Sequence, residues 1–168
     1  MVVPMLVVAI TGRSGVWERI AEFTAVGAGL AFNLCNVLIV SYNLVENPSA
    51  LQPIPLFYTS IAIWSGNVLI FTLLYWLVDR GGPDARLNRA GRYPDFDFPV
   101  MDDDTENRIG WQPGIIDYLF LGFTTSTAFS PTEAMPKTAR AKVLMMLQST
   151  IALITIAVVA ARTINILK

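Results

Sequence analysis

The sequence predicts an all-α integral membrane protein with three transmembrane helices and a short re-entrant helix and loop before the last span; a partial fourth helix at the N-terminus stays open. Three observations carry that prediction. Of 168 residues, 54% are hydrophobic and 15% charged, and mean hydropathy is +0.51, whereas soluble domains run at about 45–50% apolar and about 25% charged. The excess lies in three long uncharged blocks, as membrane spans require. Between the second and third blocks lies TTSTAFSPTEAMPKT, residues 124 to 138, a polar and proline-interrupted stretch directly after the apolar YLFLGF.

We read residues 1–168 as one transmembrane domain. Residues 1–19 begin MVVPMLVVAIT, an apolar run too short to span and without the basic start of a signal peptide. It is either the tail of a longer first helix or an interfacial segment. Residues 20–45 are the first span: Phe23 to Val45 is 23 residues without a charge, and about 20 suffice to cross. Gly27 and Gly29, with Ala25, Ala28 and Ala31, suggest a close helix contact there. Asn33, Asn36 and, on the next span, Asn67 read as interhelical hydrogen-bonders, each contributing about 0.5–1.5 kcal/mol. Residues 54–78 are the second span, an uncharged run of 25 entered through Pro48, Pro53 and Pro55. Proline fits a connection and a helix start, where a missing N–H costs little. The last span, residues 138–166, is built on uncharged Val143 to Ala161, with Arg140 and Lys142 before it and Arg162 after. Trp17, Trp76 and Trp111 fall near the ends of apolar segments, where interfacial indoles are expected.

Residues 79–113 carry five Arg and eight acidic residues with no sustained helical period, and read as an aqueous loop. The run Asp102, Asp103, Asp104 and Glu106 has the oxygen ligands that hard cations take. It lacks the spacing and turning glycine of a calcium loop, so a solvated charge run is the better reading and no metal site is assigned.

Residues 114–136 hold a short helix and the polar turn. Gly114 to Thr127 reads as the helix, with Pro113 and Gly114 at its entry and Asp117 in the first turn, where a carboxylate suits the helix dipole. Fourteen residues reach only about 21 Å, short of the roughly 30 Å hydrocarbon core. Non-helical backbone at that depth needs protein or a water-filled cavity around it. Length and polarity alone are met equally by a re-entrant loop and by an interfacial helix followed by a surface loop.

TAFSPTEAMP, residues 127 to 136, resembles the pore signature of potassium channels, TTVGYGDxxP, aligned without a gap. Thr127 takes the first threonine, Glu133 the acidic position after the filter, and Pro136 the proline of the outer turn. An aromatic-rich helix precedes it and PKTARAK leads into a following helix, so residues 54–168 resemble the outer helix, pore loop and inner helix of that superfamily. More closely, the chain is similar to a bacterial membrane-protein family of unknown function grouped loosely with those channels. The resemblance implies a homo-oligomer, tetrameric, in the bacterial inner membrane. It implies passive cation conduction through a pore lined by Thr127, Phe129, Ser130, Pro131, Thr132 and Glu133. A non-conducting structural or accessory membrane protein with an inherited pore-loop architecture is the alternative.

The departures bear on selectivity. The family's filter glycines correspond to Ser130 and Thr132, and its tyrosine to Pro131. Glycine permits the backbone angles that aim successive carbonyls at an ion, whereas proline fixes φ near −65°. A potassium-type carbonyl ladder is therefore not expected. Hydroxyls of Thr127, Ser130 and Thr132 and a ring of Glu133 carboxylates would line such a pore and favour cations of either valence. On the last span Gln148, Thr155 and Arg162 recur every seven residues. Gln148 and Thr155 are candidates for an inner-helix pore face, with interhelical hydrogen bonding the alternative for that stripe. Arg162 is also placed to snorkel to the interface. The chain has no His and one Cys, Cys35, which removes His-based triads, His-containing zinc sites and intrachain disulfides. With no nucleophile–base pair visible, an enzyme is disfavoured and no cofactor is assigned. A net charge of −1 gives no nucleic-acid footprint.

Orientation sets two arguments against each other. The resemblance places the 79–113 loop outside. Arg80, Arg86, Arg89, Arg92, Arg108, Lys137, Arg140 and Lys142 are all on that side, and the positive-inside rule puts such a side in the cytoplasm. Acidic residues hardly count in that rule, so we favour a cytoplasmic 79–113 loop, with the re-entrant segment entering from inside.

Overall fold

The computed structural model describes residues 16–47, 52–87, 93–99, 112–127 and 134–166. Their order is α1 (Val16–Glu46), α2 (Pro53–Val78), a 3-10 turn (Asp79–Gly81), α3 (Pro83–Leu87), β1 (Phe96–Asp97), α4 (Ile115–Ser126), β2 (Met135–Pro136) and α5 (Ala139–Ile166). Three of these helices, α1, α2 and α5, are long and apolar enough to cross a membrane. β1 and β2 pair antiparallel, Phe96 opposite Pro136 and Asp97 opposite Met135.

The second helix is the centre of the bundle. It packs against α1, α4 and α5, and 44% of its apolar window is buried against 17% for α1, which makes α1 the outer helix. α1 and α2 are antiparallel. Asn33 Nδ2 donates to Ile63 O at 2.9 Å, Gly29 lies against Ile70, and Arg19 Nη2 donates to Gly81 O at 2.6 Å. Asn33 thus does what its residue type predicted, whereas a Cβ at Gly29 would make only ordinary contact with Ile70 at 3.5 Å. Gly27 faces open space, and Asn36 spends its amide on Phe32 O of its own helix, so neither joins helices.

The described parts of 79–113 differ from a solvated loop. Asp79, Gly81, Arg86, Asp95, Phe96 and Phe98 are buried. The chain reverses at Arg80, Gly81 and Gly82, all at positive φ, which glycine adopts freely and other residues rarely. α3 then folds back onto the end of α2: Arg86 Nη1 donates to Trp76 O at 2.7 Å and to Asp79 O at 3.0 Å. Both carbonyls lie where the helix ends, and Asp79 O also accepts the Gly82 N–H at 2.9 Å. The Arg86 guanidinium also lies over the Trp76 and Tyr118 rings. Trp76 is consequently buried under this cap and is not the interfacial anchor its position suggested, while Trp17 is 83% exposed. Trp111 and the acidic run 102–106 lie outside the described residues.

Candidate functional site

Residues 114–127 form the predicted helix almost to the residue. Gly114 is its N-cap and Thr127 its C-cap. Asp117 accepts the Gly114 N–H at 2.7 Å, satisfying a donor that the helix start leaves open. One face of α4 is applied to α2. Gly122 sits where an added Cβ would meet Thr72 Oγ1 at 2.8 Å and Val68 O at 3.2 Å, so the two backbones approach at a point only glycine allows. Phe123 meets Trp64 edge-on, with ring centroids 5.7 Å apart.

Tyr118, in the first half of α4, donates to Asp79 Oδ2 at 2.6 Å, beside the end of α2. Ser126, at the other end, lies beside Asn67, midway along α2. Past residues 128–133 the chain is again at the Asp79 end, where Lys137 N donates to Asp95 O at 2.8 Å. Both flanks of this six-residue segment are held firmly.

The flank beside the middle of α2 is held by a buried polar knot. Gln148 Nε2 donates to Gly122 O at 2.7 Å and to Ser126 Oγ at 2.8 Å, while its Oε1 accepts from the Tyr75 hydroxyl. Asn67 Nδ2 donates to Gln148 O at 3.1 Å, and Ser149 Oγ to Thr125 O at 3.3 Å. Gln148, Asn67, Tyr75 and Ser126 are all buried. In a low-dielectric interior these bonds fix the relative height of three helices.

Asp95 holds the other flank. Its carboxylate accepts from Thr138 Oγ1 at 2.6 Å, from Arg80 N at 3.1 Å and, in a two-point contact, from the Arg140 guanidinium. Thr138 in turn caps α5, accepting from Ala141 N at 3.3 Å, so the carboxylate also faces the positive end of that helix. Asp79 Oδ1 accepts the Asp95 N–H at 2.8 Å, joining the two carboxylates through backbone. Lys137 pairs with Asp97 across the β1–β2 ribbon. Burial pushes the Asp95 carboxyl up, but the bonds from Arg140 and Thr138 outweigh it and hold the group below the usual carboxylate range.

Of the sequence-predicted residues, Thr127 is described and partly buried at the helix end, its hydroxyl bonded to Phe123 O at 3.0 Å. Phe129, Ser130, Pro131, Thr132 and Glu133 lie outside the described residues. Gln148 and Thr155 do share a face, and that face is turned into the chain's own interior. Gln148 is fully buried among α2 and α4, and Thr155 is buried with its hydroxyl on Ile151 O at 2.8 Å. Exposed positions occur on more than one side of α5, among them Val143, Met146, Ser149, Thr150, Leu153, Ile154 and Ile156. Sequence reasoning missed Asp79, Asp95 and Tyr75, although an aspartate ending an apolar run just before Gly81 and Gly82 was a usable signal. Among the described residues no cluster of three metal-ligating side chains converges. The chain matches no family model, no curated protein and no solved structure.

Proposed function

We propose that this chain is a subunit of a homo-oligomeric, pore-loop cation channel in the cell membrane, with residues 128–133 as a re-entrant segment at the mouth. The observation that carries this reading is the placement of α4. It is a twelve-residue helix, about 18 Å long, that starts beside Asp79 and stops beside Asn67 midway along α2. The next described residues are back at the starting end. A descent to mid-depth and a return to the same side is the layout a re-entrant loop needs. Irregular backbone at that depth would have to be shielded from lipid, and α4 itself packs against α2 and α5.

One such segment cannot enclose a pore, so copies must assemble around an axis, four of them if the potassium-channel resemblance holds. Four Glu133 carboxylates would concentrate cations at the mouth and repel anions. On α5 the wall of the pore would then come from exposed positions, with the strip Met146, Thr150 and Leu153 our choice, because Gln148 and Thr155 are used within the chain.

The second reading is a non-conducting membrane protein built on the same architecture. It is favoured by the Gln148 knot, which fills with hydrogen bonds the position where an inner helix would otherwise present an amide to water. Ion flux into liposomes holding the purified chain separates the two. Conduction predicts cation flux that Glu133→Gln lowers, more so at low ionic strength where screening is weak. Flux no greater than in empty liposomes would establish the non-conducting reading, and flux insensitive to Glu133→Gln at low salt would remove Glu133 from the pore.

A further inference from the structure

At the Asp79 end of the bundle, α1, the end of α2 and the start of α5 enclose an open groove of about 570 Å³. Its rim carries Arg19 and Arg140, and its floor is apolar, including Phe23, Leu77, Val143 and Leu144. Among the described residues its lining holds two guanidiniums and no carboxylate. We infer that this groove binds one anionic phospholipid, its phosphate between Arg19 and Arg140 and an acyl chain along the apolar floor.

The geometry suits that occupant. Arg19 uses Nη2 on Gly81 O, which fixes the guanidinium at the rim and leaves other N–H donors of its fork for a phosphate. Arg140 gives Nε and Nη2 to Asp95, which orients its Nη1 side while the side chain stays about half exposed. Phe23 and Val143 are 40% and 56% exposed and lie one helical turn below the two arginines, toward the hydrocarbon. Charge at the rim and apolar surface beneath it match a lipid's headgroup and chain and fit poorly with either a free anion or a neutral lipid. The inference is independent of whether the chain conducts.

Native mass spectrometry of the purified full chain tests it, using phosphatidylglycerol and phosphatidylcholine of identical acyl chains. We expect phosphatidylglycerol to be retained several-fold better, and Arg19→Gln to lower its retention about fivefold. Val143→Trp, which fills an exposed groove position without touching the bundle's polar contacts, should lower retention equally and covers the case in which Arg19→Gln fails to fold. Equal retention of the two lipids, or phosphatidylglycerol binding unchanged in Val143→Trp, overturns the proposal. Displacement of the lipid by glycerol phosphate at comparable concentration would show a simple phosphate site and also overturn it.

Discussion

Gln148 and Gly122 show how two single side-chain choices fix the height of a short helix against two long ones. The glutamine satisfies Tyr75, Gly122 and Ser126 together, and a leucine of similar volume would leave buried polar groups unpaired at about 1–3 kcal/mol. Gln148→Leu should therefore lower the thermal midpoint in detergent. A midpoint equal to the parent's would mean that Gln148 faces water, the pore-face alternative of the two that the sequence pattern allowed. Gly122→Ala places a methyl group 2.8 Å from Thr72 Oγ1 and 3.2 Å from Val68 O. The hydroxyl can turn away but the carbonyl cannot, so α4 must shift outward, at about 1–3 kcal/mol. Disruption by Gly122→Ala combined with an unchanged midpoint for Gly29→Ala, whose Cβ would have ordinary contact with Ile70 at 3.5 Å, would confirm that α4 meets α2 more closely than α1 does at Gly29. Equal destabilisation by both would contradict it.

Among the elements, α4 and the β1–β2 ribbon together frame residues 128–133, and the two were unequally legible in the sequence. α4 was readable because its signals are local: Pro113 and Gly114 at the entry, Asp117 reaching back to the Gly114 N–H, then an apolar body. The ends of α2 and α5 were readable from where charge stops. The ribbon and its Asp95 clamp were not, because their partners come from positions 79, 80, 138 and 140 and leave no periodic trace. A run of mixed charge around Asp95 looks the same whether it is solvated or folded under a helix end. That clamp makes a pH prediction. The Asp95 carboxyl is held below its ordinary value, about 3.9 in an unfolded chain. Its stabilisation is therefore complete above that value and is lost as pH falls through the depressed one. Asp95→Asn should remove about 2–3 kcal/mol at neutral pH, since Arg140 loses its charge partner but is half exposed, and should flatten the acid limb of the melting-temperature profile. A variant profile parallel to the parent's down to pH 3 would take Asp95 out of that role. For the framed segment itself, single cysteines in a Cys35→Ala background should separate by depth. Ser126 is buried and should resist membrane-impermeant thiol reagents, while Phe129 and Thr132 should react from one side of the membrane only. Rapid labelling of all three would indicate a surface loop.

Over the whole molecule, the charge distribution bears on which way it sits in the membrane. Arg80, Arg86, Lys137 and Arg140 lie at the end of the bundle where α2 finishes and α5 begins. Arg19 stands just before the first uncharged block. Its bond to Gly81 O brings it to that same end, so α1 enters from the arginine-rich side. The turn joining α1 to α2, residues 47–52, contains no Lys or Arg. Toward the far end of α5 the sequence has Arg162 and Lys168. Much of the basic charge at the rich end is paired, Arg140 with Asp95 and Lys137 with Asp97, but the positive-inside bias counts Lys and Arg near span ends and gives acidic residues little weight. We therefore expect the Asp79 end in the cytoplasm and the C-terminus on the opposite side, inverted relative to the potassium channels whose signature residues 127–136 resemble. The phospholipid groove would then open on the cytoplasmic leaflet, where anionic lipid is attracted by basic side chains. Alkaline phosphatase and a fluorescent protein, each fused after Lys168, decide the matter. Phosphatase activity without fluorescence is the expected pair, and fluorescence without phosphatase activity would place the C-terminus inside and the Asp79 end outside, restoring the channel-like orientation.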